Sequence, residues 1–531
     1  MPKLKCYMKP YIQPFERKLA YKELAVLAGA EPMPLAPDTE NGYWVVDSKL
    51  PPYKLAERLA YWECVIGRER NFTTQVLREA TVNIVRNGIQ VEDIASLVPF
   101  DENVPLPNKR CLRYGPHGLH EYRGKFFPQL VKALINLTDL KYKGVIADPM
   151  CGSGTTAVEA VLSGNITFGM DFNSLSVLIA RTKCAVLSIT PEDLITTYTS
   201  VRHKLLSKSM RVRRRDLTYF YSLPEIDQSY LRKWFAEQVL LDLDEIVQIL
   251  NSLAASPMRD LMRLSLSNIL RAVSWQKEDD LRVRRDIRLD ADIDPLKDFL
   301  EELGRSVRTL LSFLYQNQKY LGTFNIQEGD ARFIDKVWKK KSVDIVITSP
   351  PYATALPYLD TDRLSLIYLK LSSRSQHRQK EFGMIGNREI TKKWRRTYWA
   401  RFQAEKNIFP KNVTNIIKKI DRLNSGSDAG FRRLNLPSLL AKYFFDMRSV
   451  LKGISRILKS GAMAYIVVGN NHTIAGGEKV EIRTAEILGE IAESVGLKPI
   501  EYIPMEMLLS RDIFKKNAIP SETILAFRQL D

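Results

Sequence analysis

The sequence predicts an α/β fold: an open sheet whose ligand-facing loops gather at the carboxyl ends of its strands. Three observations predict it. A short β-branched run at 343–347 is stopped by two consecutive prolines in Thr348-Ser349-Pro350-Pro351-Tyr352. A second apolar run, 144–147, enters a glycine-rich turn and then a helix. Two further runs, 166–170 and 323–326, lead to acids, Asp171 and Asp330. β-Branched runs of this length read as buried strands rather than helices. Open α/β sheets bind ligands beyond the carboxyl ends of their strands.

The 531 residues are too many for one core, so several domains, or a core with large insertions, are expected. A hydrophobic content of 45% argues against wholesale disorder. The net charge of +18 calls for an acidic partner, with nucleic acid the leading class. Cys6, Cys64, Cys111, Cys151 and Cys184 show no C-x-x-C spacing and no histidine cluster nearby. Neither a zinc site nor a disulfide framework is indicated, and a reducing, cytoplasmic compartment is expected. The basic first residues lack the apolar core of a signal peptide. No run approaches the roughly 20 apolar residues that span a bilayer.

Taken in order, residues 1–110 read as a mostly helical extension with helical spacing at 55–66 and 73–87, and carry no recognisable chemistry. Lys125-Phe126-Phe127-Pro128 opens a helix at 129–137, since proline suits a first helical turn. The strand at 144–147 runs into Asp148-Pro149-Met150-Cys151-Gly152-Ser153-Gly154-Thr155-Thr156 and a helix at 157–163. Glycines let a backbone approach a ligand closely, and a helix N-terminus offers free N–H groups. The spacing matches neither a P-loop nor a dinucleotide fingerprint. Asp171, at the end of the next strand, is placed to accept from ribose hydroxyls. The alternative is an incidental neighbour of a helix cap at Asn173 or Ser174.

Residues 191–322 change to charged amphipathic helices, expected at 231–253 and 261–273. Four of the five residues at 211–215 are arginines, Arg213 and Arg214 among them, suited to phosphate or simply to solvent. Residues 323–373 return to the sheet. On the proline-stiffened loop, the Ser349 hydroxyl and the Pro350 carbonyl can accept from an amine, and the Tyr352 ring can stack on a base. A helix follows at 358–371.

Residues 374–440 form a basic insertion. From position 374 to 422 there are 14 Lys or Arg against 4 Asp or Glu, interleaved with Trp394, Tyr398, Trp399, Phe402 and Phe409. Such interleaving suits nucleic acid, with Arg395, Arg396 and Arg401 as contacts. It also suits a basic hairpin whose aromatics pack inward. Residues 441–531 resume the sheet with a helix at 448–459, a strand at 462–468, a helix at 484–496 and a strand at 523–528.

The glycine loop at 148–156 and the loop at 348–352, in this order and each on a strand end, resemble the S-adenosylmethionine-dependent amino-group DNA methyltransferases. The likeness is greatest to the cytosine-N4 members that carry T-S-P-P-Y. It covers roughly residues 117–190, 323–372 and 445–528. It implies a Rossmann-like class I fold with a mostly parallel seven-stranded sheet, plus helical insertions and an N-terminal extension. It implies that S-adenosyl-L-methionine is held by Lys125, Phe126, Phe127, Pro128, Asp148, Pro149, Cys151, Gly152, Ser153, Gly154, Thr155, Thr156, Asp171, Asp330 and Thr348. Ser349, Pro350, Pro351 and Tyr352 become catalytic, double-stranded DNA the substrate, and no metal is needed. A cognate restriction endonuclease or defence-system proteins become expected partners, with no membrane. Adenine-N6 or RNA amine methylation, and a non-catalytic nucleic-acid-binding protein of the same fold, are the alternatives. Intact Gly152, Gly154, Ser349 and Tyr352 speak against the last.

Overall fold

The computed structural model describes residues 2–34, 43–86, 89–97, 106–122, 127–140, 143–207, 217–277, 284–287, 293–317, 321–353, 358–425, 430–506 and 521–530. Among these residues fourteen strands are numbered in chain order. β1 (Lys3–Met8), β2 (Met33–Pro34), β3 (Tyr43–Asp47), β4 (Trp62–Ile66) and β5 (Arg70–Phe72) form an antiparallel sheet in the order β2-β3-β1-β4-β5. The central sheet is built from β6 (Val145–Asp148), β7 (Ile166–Asp171), β8 (Thr323–Glu328), β9 (Val343–Thr348), β10 (Leu458–Gly469), β13 (Leu497–Glu506) and β14 (Ser521–Gln529). β11 (Asn471–Ala475) and β12 (Glu478–Ile482) make a separate hairpin.

The central order is β13-β14-β10-β9-β6-β7-β8. β8, β7, β6, β9 and β10 pair in parallel, and β14 alone runs against its neighbours. This is the expected Rossmann-like class I sheet. From β6 the chain winds outward through β7 to β8, then returns to the other side of β6 as β9. The switch point therefore lies between the carboxyl ends of β6 and β9, where such sheets open a crevice.

Alternation along the buried strands divides the interior. Ile146, Ile345, Ile347, Tyr465, Val467, Ile524 and Ala526 face one core; Ala147, Val346, Ala464, Ile466, Val468, Leu525 and Phe527 face another. The first core is closed by the helix Pro128–Asn136 and by residues of the N-terminal region, among them Leu19, Leu24, Trp62 and Val65. The second is closed by the helices Phe431–Ile457 and Thr484–Glu493. Between β7 and β8, a helical layer including Glu237–Asn251, Pro257–Ile269 and Pro295–Gln316 packs on the helix Ser174–Ala185 and on Leu364–Leu369.

Several expectations change. The described part of residues 1–110 holds three α-helices but also the five-stranded sheet, and 55–66 splits into the helix Pro52–Arg58 and β4. Its apolar residues fit either period over so short a stretch. The boundary expected at 440/441 falls inside the 27-residue helix Phe431–Ile457. The helix expected at 358–371 is two short ones, Tyr358–Thr361 and Arg363–Tyr368. β13 escapes the reading because Pro499 and Pro504 lie within it; an edge strand tolerates proline where a central one does not. Among the described residues no helix is long and apolar enough to cross a membrane.

Candidate active site at the switch point

β6 ends at Asp148, and residues 149–154 turn the chain into the helix Thr155–Leu162. Gly152 and Gly154 have φ of +48° and +80°, a region that side chains disfavour. The Cys151 amide donates to Met170 O at 2.9 Å and the Gly154 amide to Cys151 O at 2.8 Å, so the loop is pinned to β7 and to itself. Tyr122 lies over it. A Cβ on Gly152 would sit 3.1 Å from that ring, whose hydroxyl accepts from Ser176 at 3.0 Å. Sequence reasoning passed over Tyr122, three residues before the Lys125–Pro128 segment.

Gly154 has a different reason to be glycine than room for a ligand. A Cβ there would meet Ala180 Cβ at 2.7 Å and its Cα at 2.8 Å. Gly154→Val should therefore destabilise the fold by about 2–4 kcal/mol through backbone strain and overpacking. Urea denaturation checks this, and wild-type stability would refute it.

Asp171 serves the loop directly. Its carboxylate accepts from the Gly152 amide and the Asn173 amide, each at 2.8 Å. Burial raises its pKa to about 6 against the pull of these amides. The helix-cap alternative is also realised, since Asn173 caps the helix Ser174–Ala185. The Gly329 amide donates to Asp171 O at 3.0 Å, which brings Asp330 to the same edge. Asp330 is gripped by Arg332 at 2.6 Å, and Arg332 reaches on to Asp446 and to Gly383 O, each at 3.0 Å.

Asp148 is buried, and Oδ1 accepts from the Met150 amide at 3.1 Å. Burial raises its pKa to about 7, opposed by the nearby Thr348 and Thr156 hydroxyls. Oδ2 of Asp148, Oγ1 of Thr348 and Oγ of Ser153 are nevertheless buried without a partner in hydrogen-bond geometry. Thr156 donates to Ile347 O at 3.2 Å, tying the glycine-loop helix to β9. An acid with a raised native pKa favours the folded state below its unfolded pKa, and that contribution is lost as pH rises through about 7. Asp148→Asn should thus gain stability relative to wild type between pH 5 and pH 8, on the order of 2 kcal/mol without ligand. Denaturation at the two pH values measures the difference; a constant difference would mean the carboxyl does not titrate in this range.

β9 ends at Thr348 and the 349–352 loop leaves it. Ser349, Pro351 and Tyr352 are half-buried and Pro350 is buried. The Ser349 hydroxyl and the Pro350 carbonyl have no hydrogen-bond partner among the described residues. The loop is braced by residues far away in sequence. The Tyr352 hydroxyl donates to Glu522 on β14. Asn471 Nδ2 donates to Ala353 O at 2.6 Å. A Cβ on Gly386 would lie 2.8 Å from Tyr352 O. Burial raises the Glu522 carboxyl, and the Tyr352 hydroxyl pulls it back. No local signal marked Glu522, Asn471 or Gly386.

The remaining expected residues divide. Lys125 and Phe126, like Arg213 and Arg214, lie outside the described residues. Phe127 packs on the N-terminal core with Arg110 4.4 Å above its ring, and Pro128 starts the buried helix behind it. Arg396 is exposed and Arg395 half-buried. Arg401 is exposed, 3.2 Å from the equally exposed Glu405, with its guanidinium 4.0 Å from the centre of the Phe445 ring. Asp360, His377 and Glu381 bring ligand atoms within 4.8 Å of one another, but Arg363 already donates to Asp360 at 2.6 Å. That charge is matched, and the cluster braces the helices that follow the loop.

A family model described as UPF0020, RMKL-like, methyltransferase domain matches residues 120–197. The type II methyltransferase M.MvaI of Kocuria varians is 24% identical over 395 residues, covering 71% of this chain and 80% of that protein. M.BsoBI of Geobacillus stearothermophilus is 23% identical over 424 residues, covering 72% and 79%. Among solved structures, TrmN from Thermus thermophilus aligns over 99% of both chains at 10% identity with a TM-score of 0.33. In motif order, in the order of its central sheet and in sequence over 71% of its length, the chain resembles the S-adenosylmethionine-dependent DNA methyltransferases.

Proposed function

We propose that the chain methylates an exocyclic base amine in double-stranded DNA, with S-adenosylmethionine as donor and cytosine N4 as acceptor. One observation carries the reading. The glycine loop and the 349–352 loop leave adjacent parallel strands at the switch point, so a group held by one meets a base held by the other. The residues present fit the cofactor: a positive-φ loop beneath Tyr122, orphaned oxygens on Asp148 and Ser153, and carboxylates at the ends of β6 and β7. When bound, S-adenosylmethionine supplies a methyl group activated by a sulfonium.

The chain's own residues do the rest. An exocyclic amine is a poor nucleophile because its lone pair is delocalised into the ring. Acceptance by the Ser349 hydroxyl and the Pro350 carbonyl localises that pair and aims it. Tyr352, held at its hydroxyl by Glu522, offers its ring to the base. The base must leave the duplex at a cost of about a few kcal/mol, offset by stacking. Serine rather than an acid at position 349 favours cytosine over adenine in the family that the loop resembles. The net charge of +18 and the type II relatives support DNA and a modification system, in which a cognate endonuclease is the expected partner.

The test is nucleoside mass spectrometry of DNA from cells expressing the protein. N4-Methylcytosine is expected. N6-Methyladenine alone would overturn the cytosine assignment and keep the enzyme class, whereas no methylated nucleoside in DNA or RNA would overturn both.

A further inference from the structure

The aromatic residues of the basic insertion divide into two sets. Phe402 is fully buried, Trp399 packs beside it with ring centroids 5.4 Å apart, and Phe409 meets Phe445 at 4.7 Å. These hold the helix Lys392–Glu405 against the helix Phe431–Ile457, helped by Ser438 donating to Arg395 O at 3.0 Å. Trp394 is different. It is 44% exposed and lies nearly parallel to Tyr398, with centroids 5.4 Å apart and planes 20° apart.

A tryptophan exposed on a basic helix can take a flat apolar group on its outer face, and the surroundings say which kind. Lys392, Lys393, Arg395 and Arg396 have no ion-pair partner among the described residues. Four cations on the same helical turn as an exposed flat ring suit a polyanion that also presents flat apolar faces, which is a nucleic-acid strand. A protein partner of acidic character would match the charge but has no special use for a parallel ring pair.

The position fits the same partner. Tyr398, the inner ring, lies within the field of Asp446 and of Arg332, which grips Asp330 at the sheet edge. The helix begins shortly after Gly386, which abuts Tyr352 O. The inner ring is thus near the groups that hold Asp330, and its helix follows the segment that packs on the 349–352 loop. A duplex that surrenders one base to the crevice exposes stacking faces next to the gap.

We infer that Trp394, backed by Tyr398, is a platform that stacks on an unpaired base of the DNA strand opened beside the crevice. The inference rests on the DNA reading above. It separates two roles within one helix: the cations grip phosphate, and the ring pair holds the strand open.

The experiment compares a mixed-sequence oligodeoxynucleotide as single strand and as duplex, titrated at several salt concentrations with the full-length protein. Trp394→Ala should weaken single-strand binding by about 10-fold or more and leave the salt slope unchanged, because stacking releases no counterions. Trp394→Phe should retain most of the affinity. Lys392→Gln with Lys393→Gln and Arg396→Gln should instead flatten the slope, by about 0.7 per lost single-strand contact. Wild-type single-strand affinity in Trp394→Ala, or equal losses on single strand and duplex, would overturn the platform. If wild type methylates DNA in those cases, only the platform falls. If wild type neither binds nor methylates any DNA, or binds only RNA, the functional reading falls with it.

Discussion

Replacing Ser349 with alanine should lower turnover about 100-fold while cofactor affinity stays at the wild-type value. The hydroxyl has no partner in the described structure, so its removal orphans nothing and leaves the fold undisturbed. What it removes is an acceptor that matters most as the amine becomes a nucleophile, and loss of one such positioned group costs about 10²–10³ in rate. The loop keeps its shape in the variant because its braces are elsewhere: Glu522 on the Tyr352 hydroxyl, Asn471 on Ala353 O, and Gly386 against Tyr352 O. Single-turnover kinetics with calorimetry of cofactor binding separate the two quantities. Equal losses in both would mean that Ser349 acts on the cofactor side, and unchanged turnover would remove it from the chemistry.

Asp171→Ala should cut S-adenosylmethionine affinity by about 10-fold or more and also lower stability. The carboxylate that the sequence assigned to ribose already accepts from the Gly152 and Asn173 amides at 2.8 Å. An ionised carboxylate has about four lone-pair sites, so two remain for a ligand. Truncation therefore removes two charge-assisted bonds that hold the glycine loop, about 1.5–3 kcal/mol each, as well as any made to the cofactor. Asp171→Asn keeps one acceptor oxygen and should fall between. Calorimetry and urea denaturation on both variants check the pairing: a loss of affinity without loss of stability would confine Asp171 to the ligand.

Much of the site is legible in the sequence because its determinants are local. Two prolines after a β-branched run end a strand whatever surrounds it, and glycines at 152 and 154 mark backbone with positive φ. β6, β7 and β9 are short apolar runs closed by turn chemistry, and they end at Asp148, Asp171 and Thr348 on the edge that carries the switch point. The N-terminal region was not legible in this way. Its strands are short, and their identity depends on pairing: β1 is fixed by β3 on one side and β4 on the other.

The sequence by itself determined the α/β class, the switch-point loops, the excess of positive charge and the chemistry offered at position 349. Only the tertiary structure decided how those parts are supported. It made the N-terminal region the cover of one sheet face, and sealed that contact with buried charge: Glu79 accepts from Lys9 at 2.7 Å and from Gln129 at 3.0 Å. His117 and Tyr114 meet Glu159, on the glycine-loop helix, at 2.8 and 2.9 Å. It put Glu522 under Tyr352 across 170 positions, buried Phe402 and left Trp394 outside. The physical reason is range. Strand ends and turns are set by torsional preferences within a few residues, whereas a buried carboxylate or an outward ring is set by which distant segment fills the neighbouring volume.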